Sequence, residues 1–367
     1  RIQLGYVSTD FRTHPTAHLL TELWERHDRK RFDVYAYSIG AGEDSPLRRR
    51  IEGAFEHFVD ASTESVERTT QRIRADGIDI LIDLNGYTSG SRVEIFVPGA
   101  APVQMHWLGF LGTQGAEWFD YIITDRFVTP PEAQPYFTER CLYLDRYTPS
   151  DTRRAIDPQT PPRAAHALPE NAFVFCCFNN AYKILPPVFD AWMRILAAVP
   201  GSVLWLSPSS DATYANLRSE AQKRGIAPER LIFAPRINLG AYLARLSLAD
   251  LFLDTWPYNA GTTANDALLV GLPLLTYTGE TLASRVAASQ LHSLELGELV
   301  TDSLAAYERR AIELALAPAE LHRMRRKLAS QRASSIMFDV ERYTRRFEDA
   351  LAAAWDDYER SSATATS

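Results

Sequence analysis

Residues 249–290 read ADLFLDTWPYNAGTTANDALLVGLPLLTYTGETLASRVAASQ, and this stretch predicts the fold. Leu251–Leu253 is an apolar run too short for a helix, which indicates a buried strand. Turn-forming residues follow as far as Gly261. Thr262–Asp266 then opens an apolar helix, Ala267–Val270. A strand, a loop rich in glycine and threonine, and a helix in this order are typical of a parallel α/β domain.

The junction between this loop and this helix predicts an anion-binding geometry. The first backbone N–H groups of a helix, here those around Gly261–Thr263, have no helical partner, and the helix dipole favours negative charge there. We expect Asp266, in the first turn, to accept from ribose hydroxyls. A second unit repeats the pattern with a strand at Leu274–Tyr277 and a helix at Glu280–Gln290. Because most such turns in α/β proteins bind nothing, the stretch alone leaves a purely structural turn equally open.

The composition limits the classes of protein. The chain has 367 residues, 46% of them hydrophobic, which is enough for two domains of ordinary size. A net charge of −7 argues against nucleic acid as the main partner, and no apolar run is long enough to span a membrane. Adjacent Cys176 and Cys177 lie in an apolar run, which predicts core residues in a reducing, cytoplasmic compartment. The start at Arg1, inside a strand pattern, predicts that a further segment precedes it.

Strands alternate with helices along both halves of the chain. Besides the two strands already named, the predicted strands are Ile2–Val7, Phe32–Tyr37, Ile78–Leu84, Pro102–Leu108, Tyr121–Thr124, Phe173–Phe178, Val203–Leu206 and Leu231–Phe233. The other predicted helices are Pro15–His27, Leu47–Ala54, Val66–Ala75, one that begins at Pro186, Tyr214–Gly225, Leu239–Leu246, Ala305–Leu328 and Val340–Tyr358. This alternation predicts an α/β fold with parallel sheets covered on both faces.

A change in composition divides the chain. Residues 151–169 hold several prolines and few large apolar residues, which indicates a linker. We therefore expect one Rossmann-like domain over 1–150 and a second over 170–335. A C-terminal helix is expected over 336–360, followed by a disordered tail to 367.

Both halves begin with a strand, a polar loop, a proline and a helix. The first loop carries His14 and the second carries Lys183. Because ligands of open α/β sheets lie at the carboxyl ends of the strands, we expect both loops to face one cleft. Lys183 can neutralise a phosphate oxygen, and His14 can act as a base or donate to a ligand. A solvated surface lysine and a histidine that only bonds to the helix backbone remain the alternatives.

Several motifs are missing from the sequence. It has no Asp-x-Asp pair and no tight cluster of histidine, cysteine and glutamate, so neither a divalent metal nor another cofactor is indicated. If a diphosphate leaves during the reaction, Lys183 and the N–H groups at Gly261–Thr263 must carry its charge. The P-loop, the GxGxxG pattern and the GxSxG elbow are absent too, which disfavours a P-loop enzyme, a nicotinamide dehydrogenase and an α/β-hydrolase.

Six segments carry a resemblance to a known family. GETLASRVAASQL, residues 279–291, is the strongest. The others are LGYVSTDFRTHPTAHL (4–19), DGIDILIDLNGYTSGSR (76–92), APVQMHWLGFLGTQGA (101–116), DYIITD (120–125) and CCFNNAYKI (176–184). On these motifs, in this order, the chain resembles the catalytic region of the O-GlcNAc transferase family.

The resemblance implies a fold and an activity. The fold is GT-B, with two Rossmann-like domains whose sheets face a central cleft. The implied reaction is inverting and independent of metal, and it moves N-acetylglucosamine from UDP-GlcNAc to serine or threonine hydroxyls of a protein acceptor, leaving UDP. The resemblance also implies tetratricopeptide repeats ahead of this region in the full-length protein.

The family's functional residues map onto matching positions. His14 and Lys183 are the implied catalytic residues, with the lysine on the leaving diphosphate. Leu108 and Gly109 lie on the sugar and acceptor side. The implied donor-binding residues are Asn180, Tyr182, Arg236, Ile237, Tyr242, Arg245, Tyr258, Gly261, Thr262, Thr263 and Asp266. Among them, the threonine pair is implied at the phosphates, Asp266 at the ribose and Arg245 near the uracil.

Some positions depart from the animal enzymes. Asn180 stands where the animal enzymes have glutamine, Gly261 where they have histidine and Tyr258 where they have cysteine. Tyr242 replaces a histidine that stacks on uracil there. Asn180 and the Pro-Tyr pair before Gly-Thr-Thr are similar to plant O-fucosyltransferases, which use GDP-fucose. Alternatives therefore stay open: a transferase that uses another nucleotide sugar, such as UDP-glucose or GDP-fucose, or another acceptor, and a binding module with little catalysis.

Overall fold

The computed structural model describes residues 1–365, which form two compact units. The first unit comprises Arg1–Thr152 and the C-terminal segment that begins at Ile336, and the second comprises Arg153–Ser335. Each unit is an α/β domain with its own parallel sheet. Most of the segment 151–169, predicted as a linker, therefore belongs to the second unit.

Within the described residues, the first unit has a seven-stranded sheet in the order β3-β2-β1-β4-β5-β6-β7. The strands are β1 (Ile2–Ser8), β2 (Phe32–Ser38), β3 (His57–Asp60), β4 (Ile80–Asp83), β5 (Val103–His106), β6 (Tyr121–Asp125) and β7 (Arg140–Leu144). All are parallel, and Leu4 of β1 pairs with Val34 on one side and Ile80 on the other. The order reverses at β1 and β4, so a ligand site is expected at their carboxyl ends.

The helices of the first unit begin where the sequence provides a cap. They are α1 (Pro15–Arg26), α2 (Pro46–Gly53), α3 (Val66–Ala75) and, at the end of the chain, α11 (Val340–Ala365). His14, Ser45 and Ser65 accept from the first backbone N–H groups of α1, α2 and α3. Pro15 and Pro46 stand at the first helical position, where a missing N–H costs nothing.

The C-terminal helix packs on the first sheet's helical layer. Glu348 of α11 accepts from Asp28 N at 2.6 Å and contacts His27 Nδ1 at 3.0 Å, and both side chains are fully buried. Phe347 stacks on Trp107 with ring centres 4.8 Å apart. The helix runs on to Ala365, beyond residue 360 where the sequence pattern predicted its end. The last part of the predicted disordered tail, 366–367, lies outside the described residues.

The second unit repeats the architecture. Its strands are β8 (Val174–Cys177), β9 (Val203–Leu206), β10 (Leu231–Phe233), β11 (Leu251–Leu253), β12 (Leu274–Tyr277) and β13 (Val300–Thr301), in the order β10-β9-β8-β11-β12-β13. Its helices are α4 (Pro186–Ala198), α5 (Asp211–Lys223), α6 (Leu239–Leu246), α7 (Thr262–Leu269), α8 (Val286–Ser293), α9 (Leu304–Leu316) and α10 (Pro318–Arg332). Cys176 and Cys177 are buried in β8 as free cysteines, which confirms them as core residues.

Two predictions for helices needed correction. The helix expected over Ala305–Leu328 is two helices, because Pro318 has no backbone N–H and starts α10. The helix expected over Glu280–Gln290 is a 3-10 turn, Leu282–Ser284, followed by α8, and Arg285 lies between the two. None of the helices within residues 1–365 combines the length and apolar character that crossing a membrane requires.

Candidate active site

The loop after β8 holds Lys183 against the loop after β11. These two strands are neighbours in the sheet, so their carboxyl ends open on the same edge. Lys183 ends the 3-10 turn Ala181–Lys183, and its Nζ donates to the Asn259 carbonyl at 3.0 Å. The same nitrogen lies 3.7 Å from the centre of the Tyr258 ring. Lys183 is therefore a partly buried residue with fixed partners.

Burial controls the charge of this lysine. Burial lowers the pKa of Lys183 to about 8, and the nearby Asp254 carboxylate opposes the shift. At neutral pH the amine is therefore mainly a cation. Asn180 begins the turn, with its side chain accepting from Tyr182 N at 3.5 Å, and the exposed ring of Tyr182 lies 6.1 Å from that of Tyr258. The structure thus brings Asn180, Tyr182, Lys183 and Tyr258 together.

The N-terminus of α7 is an open group of donors. Gly261 precedes its first turn, and no side chain in the described part of the chain caps it. A Cβ at Gly261 would meet only Val286, at 3.9 Å. Thr263 Oγ1 donates to the Asn179 side chain, which ties the start of the helix to the end of β8. Lys183 and the Gly261–Thr263 segment therefore stand on adjacent strand ends, as a phosphate-binding site requires.

Asp266 lies in the second turn of α7, and its predicted place in the first turn was wrong. The helix begins at Thr262, so Asp266 is its fifth residue and lies just past the first turn. The Asp266 carboxylate pairs with buried Arg154, which also donates to Asn265 Oδ1 at 2.8 Å. Burial raises the pKa of Asp266, and Arg154 opposes that shift. Contact of Asp266 with a ribose stays a prediction, and that contact would have to form while Asp266 keeps its ion pair with Arg154.

Arg245 is in the last turn of α6, and its side chain lies among aromatic rings. Its guanidinium is 5.1 Å from the ring centre of Phe178 and 5.5 Å from that of Tyr242, and it is 2% exposed. Its Nη1 donates to the Pro235 carbonyl at 2.7 Å. Burial and the Asp266 carboxylate raise the pKa of Tyr242.

These contacts give Arg245 a clear structural task. Its bond to Pro235 fixes the segment that continues into exposed Arg236 and half-buried Ile237. The structure therefore places four of the predicted donor-binding residues, Arg236, Ile237, Tyr242 and Arg245, in or next to one short segment between β10 and α6. Their contact with a nucleotide stays a prediction.

In the first unit, His14 stands at the carboxyl end of β1. Its Nδ1 accepts from Thr16 N at 3.3 Å and lies 3.5 Å from Asp10 Oδ2. Asp10 is buried and also accepts from Asn85 Nδ2 at 2.9 Å. Burial lowers the pKa of His14, so the imidazole is neutral at pH 7. The backbone bond expected as the alternative is present, and it uses Nδ1 only.

Leu108 and Gly109 follow β5 in a strained, tightly packed turn. Leu108 has a φ of 72°, and a Cβ on Gly109 would lie 2.1 Å from the Leu84 carbonyl oxygen. Farther along the loop, Thr113 Oγ1 donates to buried Glu139 at 2.6 Å. His106 also contacts Glu139, at 3.1 Å, and these partners hold the pKa of Glu139 at about 2 against its burial. These contacts hold the loop that follows Leu108 and Gly109, where the resemblance implies sugar contact.

Sequence reasoning missed several residues on which these loops depend. They are Asp10, Asn85, His106, Glu139, Arg154, Asn179 and Asp254. The signal for Asp10, Asn85, Asn179 and Asp254 was available, because each is a polar residue close behind a strand. Nothing in the local pattern marked Arg154 or Glu139, since their partners are distant in sequence. Among residues 1–365, no three His, Cys, Asp or Glu side chains are grouped to hold a metal ion.

Comparison with known proteins places this geometry in a family. The model of glycosyl transferase family 41 matches residues 1–156 and 157–347. The chain is 36% identical over 97% of its length to the probable UDP-N-acetylglucosamine–peptide N-acetylglucosaminyltransferase SEC of Arabidopsis thaliana, covering 37% of that protein. It is 31% identical over 98% of its length to the UDP-N-acetylglucosamine–peptide N-acetylglucosaminyltransferase of Caenorhabditis elegans, covering 41% of it. The chain thus spans about two-fifths of these curated relatives.

A solved structure is similar over nearly the whole chain. A mutant of the Thermobaculum terrenum O-GlcNAc transferase is 32% identical, with a TM-score of 0.92 over 99% of this chain and 69% of that one. This similarity confirms the GT-B fold class that the sequence motifs implied. The chain belongs to glycosyl transferase family 41, and its resemblance to the O-GlcNAc transferases is confirmed.

Proposed function

We propose that this chain is the catalytic region of a metal-independent, inverting glycosyltransferase that moves N-acetylglucosamine from UDP-GlcNAc to serine or threonine hydroxyls of proteins. The observation that carries the proposal is the pairing of Lys183 with the open N-terminus of α7 on adjacent strand ends. The named relatives support the choice of donor and acceptor. We further propose that the full-length protein acts in the cytoplasm and carries tetratricopeptide repeats.

The leaving group gives Lys183 its role. When the sugar departs, negative charge grows on the β-phosphate of UDP, and fixed positive groups must meet it. Lys183 supplies a full charge, and the N–H groups of Thr262 and Thr263 supply the partial charge of a helix terminus. Both groups are held in place before the reaction, so little reorganisation is needed.

His14 is proposed to take the acceptor proton. When Nδ1 accepts from Thr16, the ring proton sits on Nε2, and Nε2 can only donate. When Nδ1 instead donates to Asp10, Nε2 has a free lone pair and can act as a base. Both forms are neutral, which suits a group with a lowered pKa. Asp10 therefore selects the tautomer that can accept a proton.

A donor screen followed by turnover tests the proposal. Calorimetry with UDP-GlcNAc, UDP-glucose, GDP-fucose and UDP ranks the donors. Transfer from the best donor to a library of serine and threonine peptides, read by mass spectrometry, separates an enzyme from a binding module. We expect UDP-GlcNAc to bind best and to be transferred. Preference for GDP-fucose, which Asn180 and Tyr258 make the main competitor, would contradict the donor assignment.

A further inference from the structure

Asp254 is a buried carboxylate at the centre of the second unit's candidate site. It follows β11 directly and is 2% exposed. Its Oδ1 accepts from Thr255 N and Ala260 N, both at 2.7 Å, and from Asn179 Nδ2 at 3.1 Å. Its Oδ2 accepts from Thr276 Oγ1 at 2.7 Å. One carboxylate thus joins the ends of three adjacent strands.

These bonds define the loop that carries the phosphate-binding groups. Thr255 and Ala260 are the two ends of the loop between β11 and α7, so their hydrogen bonds to Asp254 close the loop. Ala260 directly precedes Gly261, the residue before the first turn of α7. Asn179, the third donor to Oδ1, accepts in turn from Thr263 Oγ1. Asp254 therefore fixes the position of the helix start from two sides.

The same loop also holds Lys183. The lysine Nζ donates to Asn259 and lies over the ring of Tyr258, and both residues are inside the loop that Asp254 closes. Among the described side chains, Asp254 is the carboxylate close enough to Lys183 to raise its pKa against burial. Asp254 thus acts on the lysine in two ways, through the loop and through its charge.

We propose that Asp254 is a positioning residue for the leaving diphosphate: it sets the loop that aligns Lys183 with the start of α7, and its negative charge keeps the lysine cationic. This inference rests on the proposed function, since it assigns the leaving group to that site. Asp254 itself is enclosed by its four donors and need not touch the substrate. Its effect reaches the diphosphate through Lys183 and Thr263.

The other titratable groups around this pair stay neutral near pH 7. Burial raises the pKa of Cys177, on β8, and that of Tyr307, whose hydroxyl donates to the Asp254 carbonyl from α9 at 2.9 Å. Burial also raises the pKa of Tyr258 to about 12. Asp254, whose pKa burial raises to about 6, and Lys183 are therefore the two groups that change charge between pH 5 and 9.

Asp254→Asn isolates the charge from the hydrogen bonds. The Oδ1 of the new asparagine can accept from the same three donors. Its Nδ2 can donate to the hydroxyl oxygen of Thr276, so the bond to Thr276 is kept with its direction reversed. The control is Asp250→Asn, because Asp250 is a hydrogen-bonded carboxylate at the opposite end of β11, where it contacts Val174 N, Arg163 and Arg325. Both variants lose one negative charge from the same unit.

The direct readout is the titration of Lys183 by NMR. The chain has four lysines, so lysine labelled with 13C at Cε gives a simple spectrum, and Lys183→Arg identifies the signal. We expect Asp254→Asn to lower the pKa of Lys183 by about one pH unit, and Asp250→Asn to leave it unchanged. An unchanged Lys183 titration in folded Asp254→Asn, or an equal shift in Asp250→Asn, would overturn the proposal.

Sugar transfer gives the second readout. With UDP-GlcNAc and a peptide acceptor, the alkaline fall in kcat should move to lower pH in Asp254→Asn and stay in place in Asp250→Asn. If the parent chain transfers no sugar, the proposed function fails, while the NMR titration still decides the role of Asp254. If Asp254→Asn does not fold, the parent's Lys183 signal decides: it should show a second inflection near pH 6, and a single inflection would contradict the proposal.

Discussion

At the scale of residues, His14 and Asp10 form the part of the site where a proton is expected to move. His14→Ala should lower turnover by about 10²–10⁴-fold, the usual contribution of a general base. UDP affinity should change little, because the groups assigned to UDP all belong to the second unit. Single-turnover transfer and UDP calorimetry measure the two effects separately.

Asp10→Asn is the companion variant. It should reduce kcat in the same direction: its amide oxygen can keep the bond from Asn85, but the loss of the carboxylate charge weakens the acceptor that selects the basic tautomer of His14. A His14→Ala enzyme that turns over normally, or one that loses UDP binding, would remove His14 from the base role.

Asp266 has a structural partner that determines what its removal does. Asp266→Ala leaves Arg154 as a buried cation without that partner, and breaking one side of a buried pair costs about 3–5 kcal/mol of stability. Loss of charged hydrogen bonds to ribose should weaken UDP binding by roughly 1–3 kcal/mol. Denaturant unfolding and UDP calorimetry provide the two values.

An exposed ion pair serves as the control for that experiment. Asp44→Ala, which breaks the surface pair with Arg49, should cost less than about 1 kcal/mol of stability. If Asp266→Ala keeps full stability, the Arg154 pair does not support the fold. If UDP and free pyrophosphate weaken equally, Asp266 has no contact with ribose.

At the scale of elements, the two glycines of the predicted site differ in what surrounds them. Gly261→Ala should leave stability and UDP affinity nearly unchanged, because the new Cβ meets only Val286 at 3.9 Å and the backbone N–H groups remain. Gly109→Ala should destabilise the first unit by several kcal/mol, since its Cβ would lie 2.1 Å from a backbone oxygen. Thermal unfolding of both variants measures the difference. Equal losses of stability in the two variants would contradict this prediction.

Helices and strands could be predicted from the sequence where their own residues carry a strong apolar pattern. Strands with a continuous apolar run, such as Leu251–Leu253, were predicted to the residue. The strands that were missed, β3, β7 and β13, are all edge strands that are short or carry exposed polar residues, so none shows a clear period. The break at Pro318 was missed because apolar spacing continues across it, although a proline is a recognised stop signal.

The site was predictable in part for the same reason. Lys183, His14 and the Gly261–Thr263 segment follow strands, and their positions at the sheet edge follow from the order of elements. Asp266 was placed in the first turn of α7 but is the fifth residue of a helix that begins at Thr262, so it lies in the second turn. Its partner Arg154 is 112 residues away in sequence, and such a contact has no local signal.

At the scale of the whole molecule, the proposed transferase balances the phosphate charge with protein groups alone. UDP affinity should therefore be the same with EDTA, Mg²⁺ or Mn²⁺ in the buffer, since Lys183 and the α7 terminus already supply the counter-charge. Calorimetry after exhaustive chelation measures this. A large gain in affinity on adding either metal would show that a cation shares the diphosphate.

Sugar transfer by Lys183→Met is the direct test of whether the charge of Lys183 stabilises the leaving diphosphate. Methionine keeps the apolar stem and removes the charge, and the measurement is single-turnover transfer at saturating UDP-GlcNAc, with thermal unfolding as the fold control. Exposed Lys223, paired with Glu220, provides the matched Lys223→Met control.

We expect Lys183→Met to fold normally and to lose at least about 10²–10³-fold in rate, while Lys223→Met keeps the parent rate. In the parent, transfer should fall as pH rises through about 8, where Lys183 loses its proton. A folded Lys183→Met protein that transfers sugar within a few-fold of the parent rate would contradict the account.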